Sequence, residues 1–185
     1  INTPDKANAN FIAGYGFAMR DDDPDYPAVT IGGYMLGGGF LNSRLARRIR
    51  QKEGLSYGVS GSFFVSSLDK RASFRANMIF NPENLAKLET AFREEIERAA
   101  KDGFSSADLE AAKTGWLKSR KVTRSTDVSL ASALNFQFTT ERNFTWDAKL
   151  EDAVHKLTLE QVNAATTKYL DYSKMIFVRA GDFQK

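Results

Sequence analysis

From Arg71 to Met78 the sequence alternates without a miss, and Phe80 keeps the same face: Ala72, Phe74, Ala76, Met78 and Phe80 stand against Arg71, Ser73, Arg75 and Asn77. Successive side chains of a strand point to opposite faces, so this period of two requires a β-strand with one buried and one wetted side. Residues 55–65 carry the same signal, with Leu55, Tyr57, Val59, Phe63 and Val65 on one face, and the polar run Ser66–Lys70 joins the two. Together they read as an antiparallel hairpin. A third alternating run lies at residues 10–20, where Phe11, Ala13, Tyr15, Phe17 and Met19 share a face. Gly14 and Gly16 occupy its other face, which implies that something packs closely against that side. Asp21, Asp22, Asp23 and Pro24 end the strand and read as an exposed acidic turn.

Elsewhere the period changes to that of a helix. Ala28, Ile31, Tyr34 and Met35 are helically spaced with Pro27 near the first turn, so Asp25–Leu36 is expected to form a buried helix ended by Gly37, Gly38 and Gly39. A second helix is expected over Asn42–Glu53, capped by Asn42 or Ser43 and stopped by Gly54 in the left-handed position that follows a helix. Beyond the hairpin, Asn81-Pro82 opens a helix whose stripe is Leu85, Leu88, Phe92, Ile96 and Ala99. Ser105-x-x-Asp108 and Thr158-x-x-Gln161 are capping boxes for two more. Asp127 caps another, with Leu130, Leu134 and Phe138 in line, and a short helix covers Asp147–Lys156. Residues 175–180 close the chain with a strand. Strands and helices are thus segregated rather than alternating, which predicts an α+β fold. The expected architecture is one domain over residues 1–185, a largely antiparallel sheet with helices on one face.

Composition limits the chemistry. With 26 Lys and Arg against 23 Asp and Glu the formal charge is +3, too small an excess to mark a nucleic-acid binder. There is no cysteine, which excludes disulfides and thiolate metal sites. One histidine, His155, lies in a helical segment; a zinc site needs several converging ligands, and a Ser–His–Asp arrangement needs a histidine better placed. No metal is therefore expected in this chain, nor hydrolysis by the chain alone. No apolar run approaches the roughly 18 residues that span a bilayer. The first ten residues show neither a basic nor an apolar run, and the chain opens on Ile1, so a piece of a longer protein is expected.

The stretch Leu36–Gly58, LGGGFLNSRLARRIRQKEGLSYG, holds more glycine and arginine than a scaffold requires. At 3.6 residues per turn, Leu41, Leu45 and Ile49 fall together and form the expected buried side. Arg50 points away from it, and Arg44 and Arg48 flank it. Arg44, Arg47 and Arg48 read as cations that complement a helix C-terminus and keep its surface wet. Arg50 stands one turn before Gly54 and seven residues before Tyr57, so a helix end, a turn and a strand start can bring its guanidinium to the Tyr57 hydroxyl. Tyr57 also reads as a core residue beside Leu55 and Val59. The glycine triplet could cradle a phosphate ahead of a helix, although it lacks the Lys and Ser/Thr of a P-loop. An anion or nucleic-acid site built on Arg44, Arg47, Arg48 and Arg50 would need base-stacking aromatics, and none accompany them.

The run LGGGFLNSRLARRIRQKEGLSYGVSGSF resembles the corresponding segment in the second-half domains of pitrilysin/insulinase-type zinc metallopeptidases, a family that includes the mitochondrial processing peptidases. Arg50 and Tyr57 match that family's arginine–tyrosine pair at the same spacing, and Ala180–Phe183 resemble the end of such domains. The resemblance implies two similar α+β domains facing each other across a chamber, on one chain or two. The catalytic one carries His-x-x-Glu-His; this chain lacks that motif. It therefore implies the non-zinc, substrate-binding C-terminal domain, with zinc in a homologous partner domain or subunit. Implied partners are a peptide or protein substrate, that zinc-bearing domain as a heterodimer mate or as the preceding part of the same chain, and a second copy when isolated, with neither nucleic acid nor membrane insertion. Arg50 and Tyr57 are the implied catalytic and substrate-binding residues, with Gly38 and Gly39 also assigned to substrate binding. A catalytically inactive structural or assembly protein of the same fold is the alternative. The family points to the bacterial periplasm or another extracytoplasmic site.

Overall fold

A computed structural model describes residues 1–183, with the Phe40 side chain left aside. Four strands, β1 (Ala9–Phe17), β2 (Ser56–Val65), β3 (Ala72–Phe80) and β4 (Ile176–Ala180), form an antiparallel sheet in the order β2-β3-β1-β4. Register follows the alternation in the sequence: Phe11 lies opposite Met78 and Ala13 opposite Ala76, with Gly61 of β2 on the far side of Ala76. Every apolar residue picked out on β3 is buried, as are Phe11, Ala13 and Met19 of the first run.

Six α-helices supply the other layer: α1 (Tyr26–Gly33), α2 (Leu85–Asp102), α3 (Ser106–Thr123), α4 (Asp127–Thr139), α5 (Phe144–Lys156) and α6 (Leu159–Tyr169). The α2 stripe Leu88, Phe92, Ile96 and Ala99 is fully buried against the sheet, and Phe92 meets Phe11 edge-on at 5.4 Å between ring centroids. Phe92→Ala would remove that contact and leave a cavity, at a cost of about 3–5 kcal/mol. Both capping boxes form, with Ser105 and Asp108, and Thr158 and Gln161, exchanging their side-chain-to-backbone bonds. The α+β expectation, with helices packed on a largely antiparallel sheet, is met.

Several local expectations are corrected. Strand β2 does not alternate through Tyr57, because Ser56 pairs with Phe80 and Gly58 with Ile79. Tyr57 is the extra residue of a β-bulge, which breaks the period and turns its ring out of the core. Leu41 is 39% exposed while Leu45 and Ile49 are wholly buried; it precedes the helix in a 3-10 turn (Phe40–Asn42), where the helical wheel does not apply. The acidic turn is not all solvent-facing, since Asp21 is buried and ion-paired to Arg142 from 121 residues away. Thr126 rather than Asp127 caps α4, and Asn143 starts α5 earlier than Asp147. Leu130, Leu134 and Phe138 are exposed on α4 rather than forming a buried stripe.

Candidate functional site

The expected helix after the glycines forms, with an unusual pitch. Helix α1 continues as a π-helical segment over Tyr34–Gly38, closed by the Gly39 N–H donating to the Tyr34 carbonyl at 2.7 Å. A second π-helical segment, Ala46–Lys52, carries the arginines and is called here the arginine helix. Wide turns of this kind concentrate where close packing or function demands them. Packing is visible at Gly37: a Cβ there would lie 2.3 Å from the Gly61 nitrogen of β2, so backbone meets backbone and no other residue fits. Leu45 packs against the same Gly61. The first π-helical segment is therefore seated on β2 by the facing Gly37 and Gly61, and the arginine helix that follows is anchored by the buried Leu45 and Ile49.

Gly54 holds φ +65°, the left-handed stop expected at the end of this helix. The next N–H, that of Leu55, donates back to the Ile49 carbonyl at 2.9 Å, so the turn from helix to strand is tight. Ser56 then pins the start of β2: its hydroxyl donates to the Ile79 carbonyl at 2.6 Å. Nothing in the sequence pattern marks Ser56, because both its burial and the bulge that follows are set by pairing with β3.

The four arginines divide sharply. Arg44 forms an ion pair with the buried Glu95 and donates to the Gly103 carbonyl. Arg47 reaches Asp108 at 3.0 Å, and Arg48 lies between Glu94 at 2.8 Å and Glu53 at 3.1 Å. Burial pushes the Asp108 carboxyl up, but hydrogen bonds from Ser105 and Arg47 outweigh it and hold the pKa below the ordinary value. These three arginines fasten the helix to α2, to the start of α3 and to its own last turn; Arg44 and Arg48, with side chains only 16% and 15% exposed, are buried ion-pair partners rather than the wet surface cations expected. Arg50 pairs with no carboxylate among the described residues. Its guanidinium donates to the Tyr57 backbone carbonyl at 3.3 Å.

Arg50 and Tyr57 are thus brought together, through the main chain rather than through the tyrosine hydroxyl. The bulge leaves the Tyr57 side chain 89% exposed, and the core alternative for this residue is excluded. A tyrosine standing in solvent beside an uncompensated guanidinium offers two donors, one charged and one neutral, to an oxygen-rich ligand. Gly38 and Gly39 lie at the end of the first π-helical segment. Gly38 is exposed, and a Cβ at Gly39 would crowd the Tyr34 carbonyl at 3.0 Å. Their conformations are ordinary for the chain direction they take, and close packing on Tyr34 accounts for Gly39. His155 is exposed in the last turn of α5. Among the described residues no group of three or more His, Cys, Asp or Glu could hold a metal ion, and no helix is long and apolar enough to cross a membrane.

The family model described as "Peptidase M16 inactive domain" matches residues 1–115, from the first strand through most of α3 and including the whole arginine helix and the bulge. The chain belongs to the peptidase M16 family, as its inactive domain. This is the pitrilysin-type C-terminal domain that the resemblance of residues 36–63 implies. A crystal structure of a peptidase M16 inactive domain from Pseudomonas fluorescens superposes with TM-score 0.84 at 27% identity, over 98% of this chain and 42% of that one. An inactive peptidase domain from Bordetella parapertussis gives TM-score 0.76 at 21% identity, over 93% of this chain and 91% of that one. The periplasmic protease PqqL from Escherichia coli gives 0.74 at 19% identity, over 97% of this chain and 20% of that one. These last two show the shared fold. No match to a curated protein reached significance. Inactive M16 domains pair with a catalytic domain, in the same chain or in a partner, and the family's zinc site lies in that catalytic domain.

Proposed function

We propose that this M16 inactive domain completes the active site of a zinc metallopeptidase by binding the peptide that lies at the zinc of its catalytic partner. The observation that carries the reading is the Arg50–Tyr57 pair. Arg50 is the arginine of its helix left without a carboxylate among the described residues, and it is tied to the residue that the bulge exposes. Leaving a guanidinium uncompensated and a tyrosine ring in water gives the isolated domain no stability in return. Both features acquire a use when a peptide arrives.

Zinc, held by the partner, would supply the activated water that attacks the scissile carbonyl. This chain's residues bind and orient. Arg50 donates charge-assisted hydrogen bonds to a peptide carbonyl or carboxylate, and its bond to the Tyr57 carbonyl fixes the direction of the remaining N–H groups. The Tyr57 hydroxyl donates to the carbonyl oxygen as negative charge develops on it, an interaction stronger in the transition state than in the ground state. Gly38 and Gly39 keep the neighbouring surface free of side chains where the peptide backbone would pass. The periplasm is a fitting compartment, given the likeness to a periplasmic protease.

The test is to assay the domain with its catalytic partner. Tyr57→Phe is expected to lower kcat by roughly two to three orders of magnitude with little change in KM, since the lost donor acts chiefly in the transition state. If Tyr57→Phe and Arg50→Ala both leave turnover untouched, the reading fails, and a structural or assembly role for the same fold takes its place.

A further inference from the structure

Strand β2 lies at the edge of the sheet, and its first residues are placed against the pull of apolar burial. Val59 lies opposite Met78 and Gly58 opposite Ile79, so an unbroken ladder would put Tyr57 opposite the buried Phe80. The ring would then stand on the covered face, where burying a large side chain is favourable. The observed register puts Ser56 there instead. The strand thus buries a hydroxyl, with Ser56 5% exposed, and leaves a tyrosine ring in water. Burying a hydroxyl costs free energy unless it is hydrogen-bonded.

The Ser56 hydroxyl is hydrogen-bonded, and across the bulge itself. It donates to the Ile79 carbonyl at 2.6 Å and lies 3.3 Å from the Gly58 carbonyl, so it reaches both strands at the interrupted pairing. An alanine would fill nearly the same volume and leave that buried contact unmade. The consequence reaches both members of the candidate site. The bulge turns the Tyr57 ring outward, and the Tyr57 carbonyl is the group to which Arg50 donates. One main-chain distortion therefore sets the direction of the tyrosine hydroxyl and of the guanidinium together. Bulges beside functional sites re-aim side chains in this way. Gly54 and the bond from the Leu55 N–H to the Ile49 carbonyl fix where the strand starts; Ser56 is the side chain that spans the extra residue.

We propose that Ser56 is a positioning residue for the peptide-binding pair, its hydroxyl locking the β2 bulge that aims Tyr57 and anchors Arg50. Ser56 is buried on the covered face of the strand and acts only through these two neighbours. The inference rests on the reading of Arg50 and Tyr57 as substrate contacts and adds the device that holds them in place.

The experiment compares Ser56→Ala, Ser56→Cys, Ser56→Thr, Tyr57→Phe and the double variant Ser56→Ala/Tyr57→Phe. In the 185-residue chain alone, nitration by tetranitromethane reads the exposure of each tyrosine, and Tyr57, 89% exposed, is expected to react first. Ser56→Ala should slow nitration at Tyr57 severalfold and leave the remaining tyrosines unchanged. Ser56→Thr, which keeps the hydroxyl, should stay near wild type, and Ser56→Cys, a weaker donor, should fall between. With the catalytic partner, Ser56→Ala should lower kcat about ten- to a hundredfold at nearly constant KM, the size of a catalytic group displaced by about an ångström. Threonine should recover most of that loss. In the Tyr57→Phe background most of it should vanish, because the donor that Ser56 aims is already gone. The proposal is overturned if Ser56→Ala leaves Tyr57 nitration unchanged, if threonine does not rescue, or if the loss of kcat persists in full without the Tyr57 hydroxyl. An unchanged kcat in Ser56→Ala beside a lowered one in Tyr57→Phe overturns it while the active-site reading stands. An unchanged kcat in both Tyr57→Phe and Arg50→Ala removes the active-site reading and this proposal with it.

Discussion

Two arginine-rich regions of this domain handle charge in different ways. Between α3, α5 and the loops around them, Arg120 bridges Asp147 at 2.7 Å and Glu151 at 2.8 Å, Arg124 closes on the same Glu151, and Arg142 pairs with the buried Asp21. Arg120 and Arg142 also stack over Trp116 and Trp146, at 4.9 and 5.2 Å from the ring centroids. Every cation in that brace ends on an anion, as a structural network must. On the arginine helix Arg44, Arg47 and Arg48 behave the same way, and Arg50 departs from the pattern. Composition alone does not separate these arginines; on the proposed reading, the missing counter-charge is what marks Arg50.

That contrast can be broken or sharpened by substitution. The largest effect is expected at the joint rather than at a charge: Gly37→Val drives a side chain into the Gly61 backbone and should destabilise by more than about 3 kcal/mol, or yield no folded protein, in denaturant titration. Arg44→Ala comes next, because Glu95 is 4% exposed and would keep only the longer contact to Arg98 at 3.5 Å, a loss of about 3 kcal/mol by the same measurement.

In the brace, burial raises the Glu151 carboxyl, but hydrogen bonds from Arg120 and Arg124 outweigh that and hold its pKa below the ordinary 4.5. A depressed folded pKa means that its contribution is complete above the unfolded value and is lost as pH falls through the folded one. Thermal melts should therefore show wild type and Glu151→Gln differing by about 1–2 kcal/mol at pH 7, with the gap narrowing as pH falls below 4.5. An unchanged gap at low pH would mean that the brace is held by packing on the tryptophans instead. Arg47→Ala, at a half-exposed pair, is expected to cost less than about 1 kcal/mol.

Much of this was legible in the sequence because local rules and tertiary structure agree. Period-two runs gave β1 and β3, both capping boxes marked their helices, and Gly54 marked the stop before β2. The misses share a cause. Alternation places Tyr57 on the Leu55 and Val59 face because it assumes an unbroken ladder, and a bulge at the start of β2 is invisible to that assumption. Asp21 reads as a surface acid because its partner, Arg142, is remote in sequence. Leu130, Leu134 and Phe138 have helical spacing, yet spacing does not say whether another element arrives to cover them. At the candidate site, the Arg50–Tyr57 proximity followed from the helix end and turn, while its form, through the Tyr57 carbonyl, depended on the bulge.

The most direct measurement sets Arg50→Ala against Arg47→Ala in the domain assembled with its catalytic partner, reading kcat/KM and Tm together. Arg50→Ala should lower kcat/KM about a hundredfold or more with Tm unmoved, whereas Arg47→Ala should lower Tm slightly and leave kcat/KM near wild type. Equal kcat/KM for the two variants, or a loss of Tm in Arg50→Ala that matches its loss of activity, would contradict the account.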